Sequence, residues 1–506
     1  MAPFFQVLFF LAAVQAVFEL QGSALPSPLP LTASIDTRAP LLRQDPRFVS
    51  HQSETFISLS MASSFTDPRF VRAASHLAPA TLRVGGTSAD FVNYTLDYQR
   101  VHYPCVPNHD YPFPMYPGLN FSLYALEAIV NFSVAAGFTL MLDVNELTGR
   151  DCHGGTCTNT TWDTRSLRAF LSHIRDAGLA VDALEMGNEL WGGRGPFVAQ
   201  DFFVLSALLD DVFGDAPGRP ALYGPGDDCG PKLFPIIASL PGRRGFSFHD
   251  YPLNRVNDTL NASRLRAVGS AASACLDAWN SGPRAAGVGL WLTETASTYN
   301  PIALLESFQE GFFTLVSIGA YARTGVARWA RTQLTDANDA GTGGCFTFGL
   351  LHPHEDQWDA AADYWVMALH QRVVGAGVLN VSAPGGNSPA LVFCYCGVAP
   401  GTLAVAAVNV GATPVALSLV DGGGAPLRTA PRLEWVLTAP GGNLSAPAPL
   451  LNGAAPPLRL QSDGSLPPMP PAPVPAGGAL ELLLPPFSQA FFVLQAASAA
   501  ACGGTP

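Results

Sequence analysis

The sequence predicts an α/β chain: a (β/α)8 TIM barrel followed by a C-terminal antiparallel β-sandwich that also takes strand from the N-terminus. Three observations carry this prediction. Apolar strand-like runs alternate with helical ones over about three hundred residues, and eight such runs lie near residues 56, 82, 139, 182, 221, 246, 289 and 326. No Gly-rich phosphate-binding turn of the Rossmann or P-loop type occurs, which argues against an open nucleotide-binding sheet. After Gly375 the pattern changes to short β-prone pieces separated by Gly, Pro and Asn turns, as in a sandwich.

Taken in order, residues 1–24 read as a secretory signal peptide. The stretch Met1 to Leu20 is apolar apart from Gln6, Gln15 and Glu19, and Gly22 and Ala24 suit a cleavage site. Residues 25–55 are expected to join the sandwich, 56–375 to form the barrel and 376–506 to form the sandwich. Within the barrel, FISLSM (56–61) alternates like a strand, and Asp67-Pro68 ends it before helical spacing through Leu77. TLRVGG (81–86) reads as the next strand and the aromatic, Pro-rich stretch from Phe91 to Leu119 as loop. Leu123 to Ala136 reads as a helix, FTLMLDVN (138–145) as a buried strand and Thr164 to Ala177 as a helix. Strands from Leu184, at Ala221 to Pro225 and at FSFHDY (246–251) follow, with a helix over Leu205 to Phe213. The sandwich pieces are Ala390 to Cys396, Thr402 to Val410, Val415 to Val420, Leu433 to Leu437 and Ala490 to Leu494. Gly422 to Gly424 suits a hairpin loop, and Pro467 to Pro475 a plain one.

The 506 residues carry a formal charge of −12 and only 13% charged side chains, a balance that argues against a nucleic-acid partner. No stretch beyond the signal peptide is long and apolar enough to span a bilayer. Eight N-x-S/T sequons, at Asn93, Asn120, Asn131, Asn159, Asn257, Asn261, Asn380 and Asn443, fit an exported glycoprotein. The expected location is the extracellular space, the cell wall, or a lysosomal or vacuolar lumen, and the expected state is a monomer. Nine cysteines allow four disulfides and one free thiol. Cys152 and Cys157 bracket a Gly-Gly turn, and either Cys394 or Cys396 is a partner for Cys502. A zinc reading of Cys152, His153 and Cys157 lacks ligands at the usual spacing, so no metal and no cofactor is expected.

Chemistry is written in two stretches. LEMGNELWGG (184–193) is an apolar run that opens at Asn188-Glu189 into Trp191, and GLWLTETASTY (289–299) delivers Glu294 in the same way. In a (β/α)8 barrel, side chains at strand C-terminal ends converge on one face. Two carboxyl groups there suit glycosidic cleavage, one protonating the leaving oxygen while the other attacks the anomeric carbon. Thr87, Asn145, His249, Tyr251 and Tyr299 fall at or just beyond strand ends and are candidate sugar contacts, with Asn188 placed for a 2-hydroxyl and Trp191 for stacking. Glu146, beside Asn145, is a rival carboxylate better suited to a loop salt bridge.

LRVGGTSADF (82–91), MGNEL (186–190), LYGP (222–225), FHDY (248–251), WLTETASTY (291–299), DYW (363–365) and the C-terminal PPFSQAFFVLQ together resemble the heparanase family and its plant and microbial single-chain members. The resemblance implies a retaining glycoside hydrolase of β-glucuronidase type with Glu189 as general acid/base and Glu294 as nucleophile. A raised Glu189 pKa is expected, since the acid must hold a proton. Three departures bear on the substrate. Asn300-Pro301 stands where uronate-binding members carry a Gly-rich turn whose N–H groups hold the sugar carboxylate, and proline has none to give. Gly344-Cys345-Phe346 replaces Gly-Asn-Tyr, and Met61-Ala62 stands where mammalian members carry an acidic residue on the first strand. Between Asp90 and Asn145 there is no room for a long excised linker, and no Lys/Arg clusters line a groove for sulfated glycans. The expected substrate is an extracellular or cell-wall glycan. Two alternatives remain: a β-glycosidase with a non-uronic sugar at the −1 site, and a non-catalytic glycan-binding matrix protein.

Overall fold

The computed structural model describes residues 26–100, 119–150, 161–229, 234–253, 255–281, 289–298, 306–336, 349–354, 357–383, 388–427, 431–474, 481–495 and 499–503, with the short strands 152–153 and 156–157. The signal-peptide reading, Tyr299, Asn300-Pro301, Cys345-Phe346 and the Asn159 sequon lie outside the described residues, as does the side chain of Trp191.

Nine parallel strand segments follow one another around a barrel: Ala221–Tyr223, Ala183–Met186, Phe138–Val144, Ala80–Gly85, Val49–Glu54, Arg328–Thr332, Gly289–Thr295, Gly245–Asp250 and Pro225–Asp227. The first and last are separated in the chain only by Gly224, so they are two halves of one strand. A bridge between Leu222 and Arg244 continues the pairing around the ring. The result is an α/β barrel of eight strand positions with helices outside it. One of these, Leu123–Ala136, begins where the Ser122 hydroxyl caps Ala125 and ends at Gly137, whose φ of 79° is a left-handed stop.

The first barrel strand corrects the sequence reading. Residues 56–60 of FISLSM belong to a helix, Thr55–Ser60, and the strand is the preceding VSHQSE, 49–54. The barrel therefore starts before residue 56, inside the segment assigned to the sandwich. Alternation misleads here because Ser50, His51, Gln52, Ser53 and Glu54 are all buried polar residues, so the true strand carries no apolar period. That helix is buried through Thr55, Phe56, Ile57, Ser58 and Leu59 as a single turn and a half, with the Ser60 hydroxyl bonding back to Phe56.

The sandwich has one sheet of Leu42–Arg43, Val374–Leu379, Ala390–Gly397, Leu403–Asn409, Ser488–Leu494, Arg432–Thr438 and Leu450–Leu451, with Ala472–Val474 pairing the Arg432–Thr438 strand. The other sheet runs Val381–Ser382, Leu29–Ile35, Val415–Asp421, Glu481–Leu484. The N-terminal strand thus joins as expected, but it lies parallel to Val415–Asp421 in an otherwise antiparallel sandwich. The sandwich rests on the barrel through helix Phe308–Ala322: the Gln489 amide donates to the Phe308 carbonyl, and the Phe393 ring lies where a Gly319 side chain would be. Cys396 is the partner of Cys502, Cys229 pairs with Cys275, and Cys394 is a buried free thiol. Cys152 and Cys157 face each other across a two-residue ladder. Among the described residues no helix is long and apolar enough to cross a membrane.

Candidate active site

Glu294 would share a strand with Thr293 on opposite faces if the Gly289–Thr295 strand were regular, because successive side chains alternate. It is not regular. Phe248 pairs with Leu292 and His249 with Glu294, so Thr293 is an extra residue in a bulge. The bulge turns both side chains inward: the Thr293 hydroxyl donates to Glu185 at 2.9 Å, while Glu294 reaches the mouth of the barrel. There the Tyr251 hydroxyl donates to Glu294 Oε1 and Arg83 Nη1 donates to Oε2 at 2.9 Å.

Glu189 sits beyond the Ala183–Met186 strand with φ 53°, a left-handed backbone that non-glycine residues rarely adopt and that clusters at functional sites. Its N–H donates to the Gly226 carbonyl, which holds the turn against the next strand. The side chain is 49% exposed, against 13% for Glu294. His249 Nδ1 lies 3.0 Å from Glu189 Oε1 and 3.9 Å from Glu294 Oε2. Carboxylate oxygens of Glu189 and Glu294 and a ring nitrogen of His249 lie within 4.8 Å of one another.

The electrostatics correct one expectation. Burial alone would raise the Glu189 carboxyl, but the hydrogen bond and charge of His249, with help from Arg83, outweigh it and lower the pKa. Burial disfavours the His249 cation, yet Glu294 and Glu189 overcome this and raise its pKa. The proton expected on Glu189 is therefore held on the imidazole side of the pair. Burial, then the Glu294 charge and hydrogen bond, push the Tyr251 hydroxyl well above its ordinary range, so it remains a donor.

Charged residues outside the expected set complete the site. Arg83 is buried in the barrel and divides its donors: Nε to Glu185, Nη1 to Glu294, Nη2 to Asn188 Oδ1 at 2.9 Å and to Asp143 at 3.3 Å. Asp90 accepts from the backbone N–H groups of Asn188 and Glu146, so one carboxylate fixes the turns after two adjacent strands. Glu54, the last residue of the first barrel strand, accepts from the Ser88 N–H and hydroxyl. Burial and the charge of Glu294 raise its pKa to about 7. A Cβ at Gly86 would lie 1.8 Å from Glu54 Oε2, so this close approach requires glycine. An acid therefore does end the first strand, and the loss inferred at Met61-Ala62 followed from the wrong register. An arginine inside the run TLRVGG and a glutamate inside LEM were the available signals, since buried strands seldom carry charge.

The remaining candidates separate. Asn188 and Tyr251 join the cluster. Thr87 is half-buried on the turn after Ala80–Gly85. Asn145 is buried, and its amide donates to the Val92 carbonyl while its own N–H meets the Tyr94 hydroxyl, an anchoring arrangement for the loop. Glu146 is a buried carboxyl raised well above its usual range by burial and by the neighbouring Asp90 and Asp201, with Arg150 opposing them.

Comparison with known proteins places the chain among the glycoside hydrolases. Residues 45–248 match the model of the glycosyl hydrolase family 79 N-terminal domain. Mouse (Mus musculus) heparanase is 26% identical over an alignment covering 89% of this chain and 92% of its own length. The chain is a glycoside hydrolase similar to the heparanases. Hyaluronoglucuronidase of the leech Hirudo nipponia is 24% identical, covering 79% of this chain and 84% of its own. Among solved structures, a 4-O-α-L-rhamnosyl-β-D-glucuronidase of Fusarium oxysporum superposes with a TM-score of 0.64 at 13% identity, over 92% of this chain and all of its own, a likeness of fold.

Proposed function

We propose that this heparanase-like hydrolase is a secreted retaining β-glycosidase of β-glucuronidase type, acting on an extracellular or cell-wall glycan by double displacement. The observation that carries the reading is the approach of the Glu189 and Glu294 carboxylates to within 4.8 Å. Retaining enzymes hold the pair ~5–5.5 Å apart, whereas inverting ones leave ~6.5–9.5 Å for a water. Glu294, held by Arg83 and Tyr251, attacks the anomeric carbon as the bond to the leaving oxygen breaks. Glu189 gives that oxygen its proton, then takes one from the water that hydrolyses the glycosyl ester. His249 supplies the first proton across their 3.0 Å contact and receives the second, so one proton leaves the imidazole, passes through the carboxyl and ends on the leaving group, and the one taken from water returns by the same route. Asn188, oriented by Arg83 and Asp90, presents its amide to the 2-hydroxyl of the sugar.

The names of the heparanase and hyaluronoglucuronidase relatives support a glucuronide at the −1 site. Pro301 supports a second reading, a non-uronic sugar, because it removes one N–H from the turn that would cradle a carboxylate. The chain acts as a monomer. Two variants test the mechanism. Glu294→Gln abolishes turnover of every substrate, whereas Glu189→Gln spares substrates whose phenolate leaving group needs no proton. Equal loss on activated and unactivated glycosides in Glu189→Gln contradicts its role as acid.

A further inference from the structure

Away from the catalytic carboxylates, the short hairpin of Leu351–His354 and Gln357–Ala360 carries an unusual face. His352 and His354 are two apart on one strand and so share a face, and Asp359 is the cross-strand partner of His352 on that face. Glu306, His352, His354 and Asp359 line one cavity of about 310 Å3. Behind them, Asp336 pairs with His352 Nδ1 and accepts the Gly349 N–H, with its side chain wholly buried. One donor atom each of Glu306, Asp336 and His352 lies within 4.8 Å of the others.

We propose that this cluster is a binding site for a divalent transition cation of the zinc class, with Glu306, Asp336 and His352 as ligands. One imidazole nitrogen and two carboxylate oxygens suit zinc better than calcium, which takes oxygen alone. Zinc bonds of ~2.0–2.2 Å set tetrahedral ligand atoms about 3.3 Å apart, so His352 and Asp336 part from their direct contact to admit the ion, with Glu306 facing it from the third side. The cavity leaves room for a fourth ligand, a water or the exposed His354. Glu306 lies between the nucleophile strand and helix Phe308–Ala322, and Asp336 just past the last barrel strand. A bound ion therefore ties together the chain leaving two strands that build the active site. The site is independent of the glycosidase mechanism.

The test is zinc chloride titration of the full chain, stripped with chelator and desalted, followed by calorimetry at neutral pH and by metal analysis after gel filtration. The expected result is one zinc per chain, with the dissociation constant raised roughly tenfold or more in Glu306→Gln and in His352→Ala. Glu306 is only half-buried, so Glu306→Gln keeps the fold, as far-UV circular dichroism checks. Three results overturn the proposal: no saturable binding, affinity unchanged in both variants, or loss of binding only in His249→Asn, which places the ion at the catalytic carboxylates. Preference for calcium over zinc likewise contradicts the donor set.

Discussion

Glu54 is a carboxyl that the fold prefers neutral, and replacing it by glutamine measures how strongly. Burial and the neighbouring Glu294 raise its pKa from 4.5 to about 7. Each unit corresponds to about 1.36 kcal/mol, so ionising Glu54 costs the folded state up to about 3 kcal/mol. Because the folded pKa lies above the unfolded one, the contribution is fully present below the unfolded value and is lost as pH rises through about 7. A glutamine side chain in its place cannot ionise and still offers Ser88 an oxygen. Urea unfolding, followed by tryptophan fluorescence from about pH 4 to about pH 8, compares the two proteins. Glu54→Gln should match the wild type at the acid end and exceed it by about 3 kcal/mol at the alkaline end. Glu310, raised by burial to about 8, cancels because both proteins contain it. A stability difference that does not change with pH refutes the argument.

Further outcomes follow from the same contacts. Arg83→Lys replaces a fork that reaches Glu185, Glu294, Asn188 and Asp143 by one ammonium, and kcat/KM should fall by roughly a hundredfold with circular dichroism unchanged. His249→Asn removes the group that shares a proton with Glu189. The alkaline limb of kcat/KM should move to lower pH, and an unmoved limb excludes the sharing. Replacing both Cys396 and Cys502 by serine opens a loop of 106 residues and should lower sandwich stability by about 2–5 kcal/mol, read from the denaturation midpoint.

The sequence made legible whatever ends an apolar run. Asn188, Glu189, His249, Tyr251 and Glu294 all lie where a buried strand turns polar, and they assemble. The helix at 123–136 and most sandwich strands were equally visible, the helix from its long run of buried apolar residues and strands such as Ala390–Gly397 and Leu403–Asn409 from continuous apolar runs buried on both faces. Val49–Glu54 was not, since a barrel interior that holds serine, histidine, glutamine and glutamate erases the alternation. Arg83 lay in plain view inside TLRVGG, but its role depends on Glu185 and Glu294, over a hundred and over two hundred residues away. The lowered pKa of Glu189 was illegible for the same reason: its cause, His249, is sixty residues on. The bulge that aims Glu294 inward is a matter of register between two strands, which no single run of sequence expresses.

The central claim, that Glu294 is the nucleophile of a retaining mechanism, is tested most directly by intact-mass analysis after exposure to β-configured cyclophellitol probes, uronic and neutral, with mapping of the labelled peptide. One adduct on Glu294, absent from folded Glu294→Gln, is the predicted result, and the probe that reacts identifies the −1 sugar. Folded protein that gains no mass from any probe, or an adduct on another carboxylate such as Glu54 or Glu189, contradicts it.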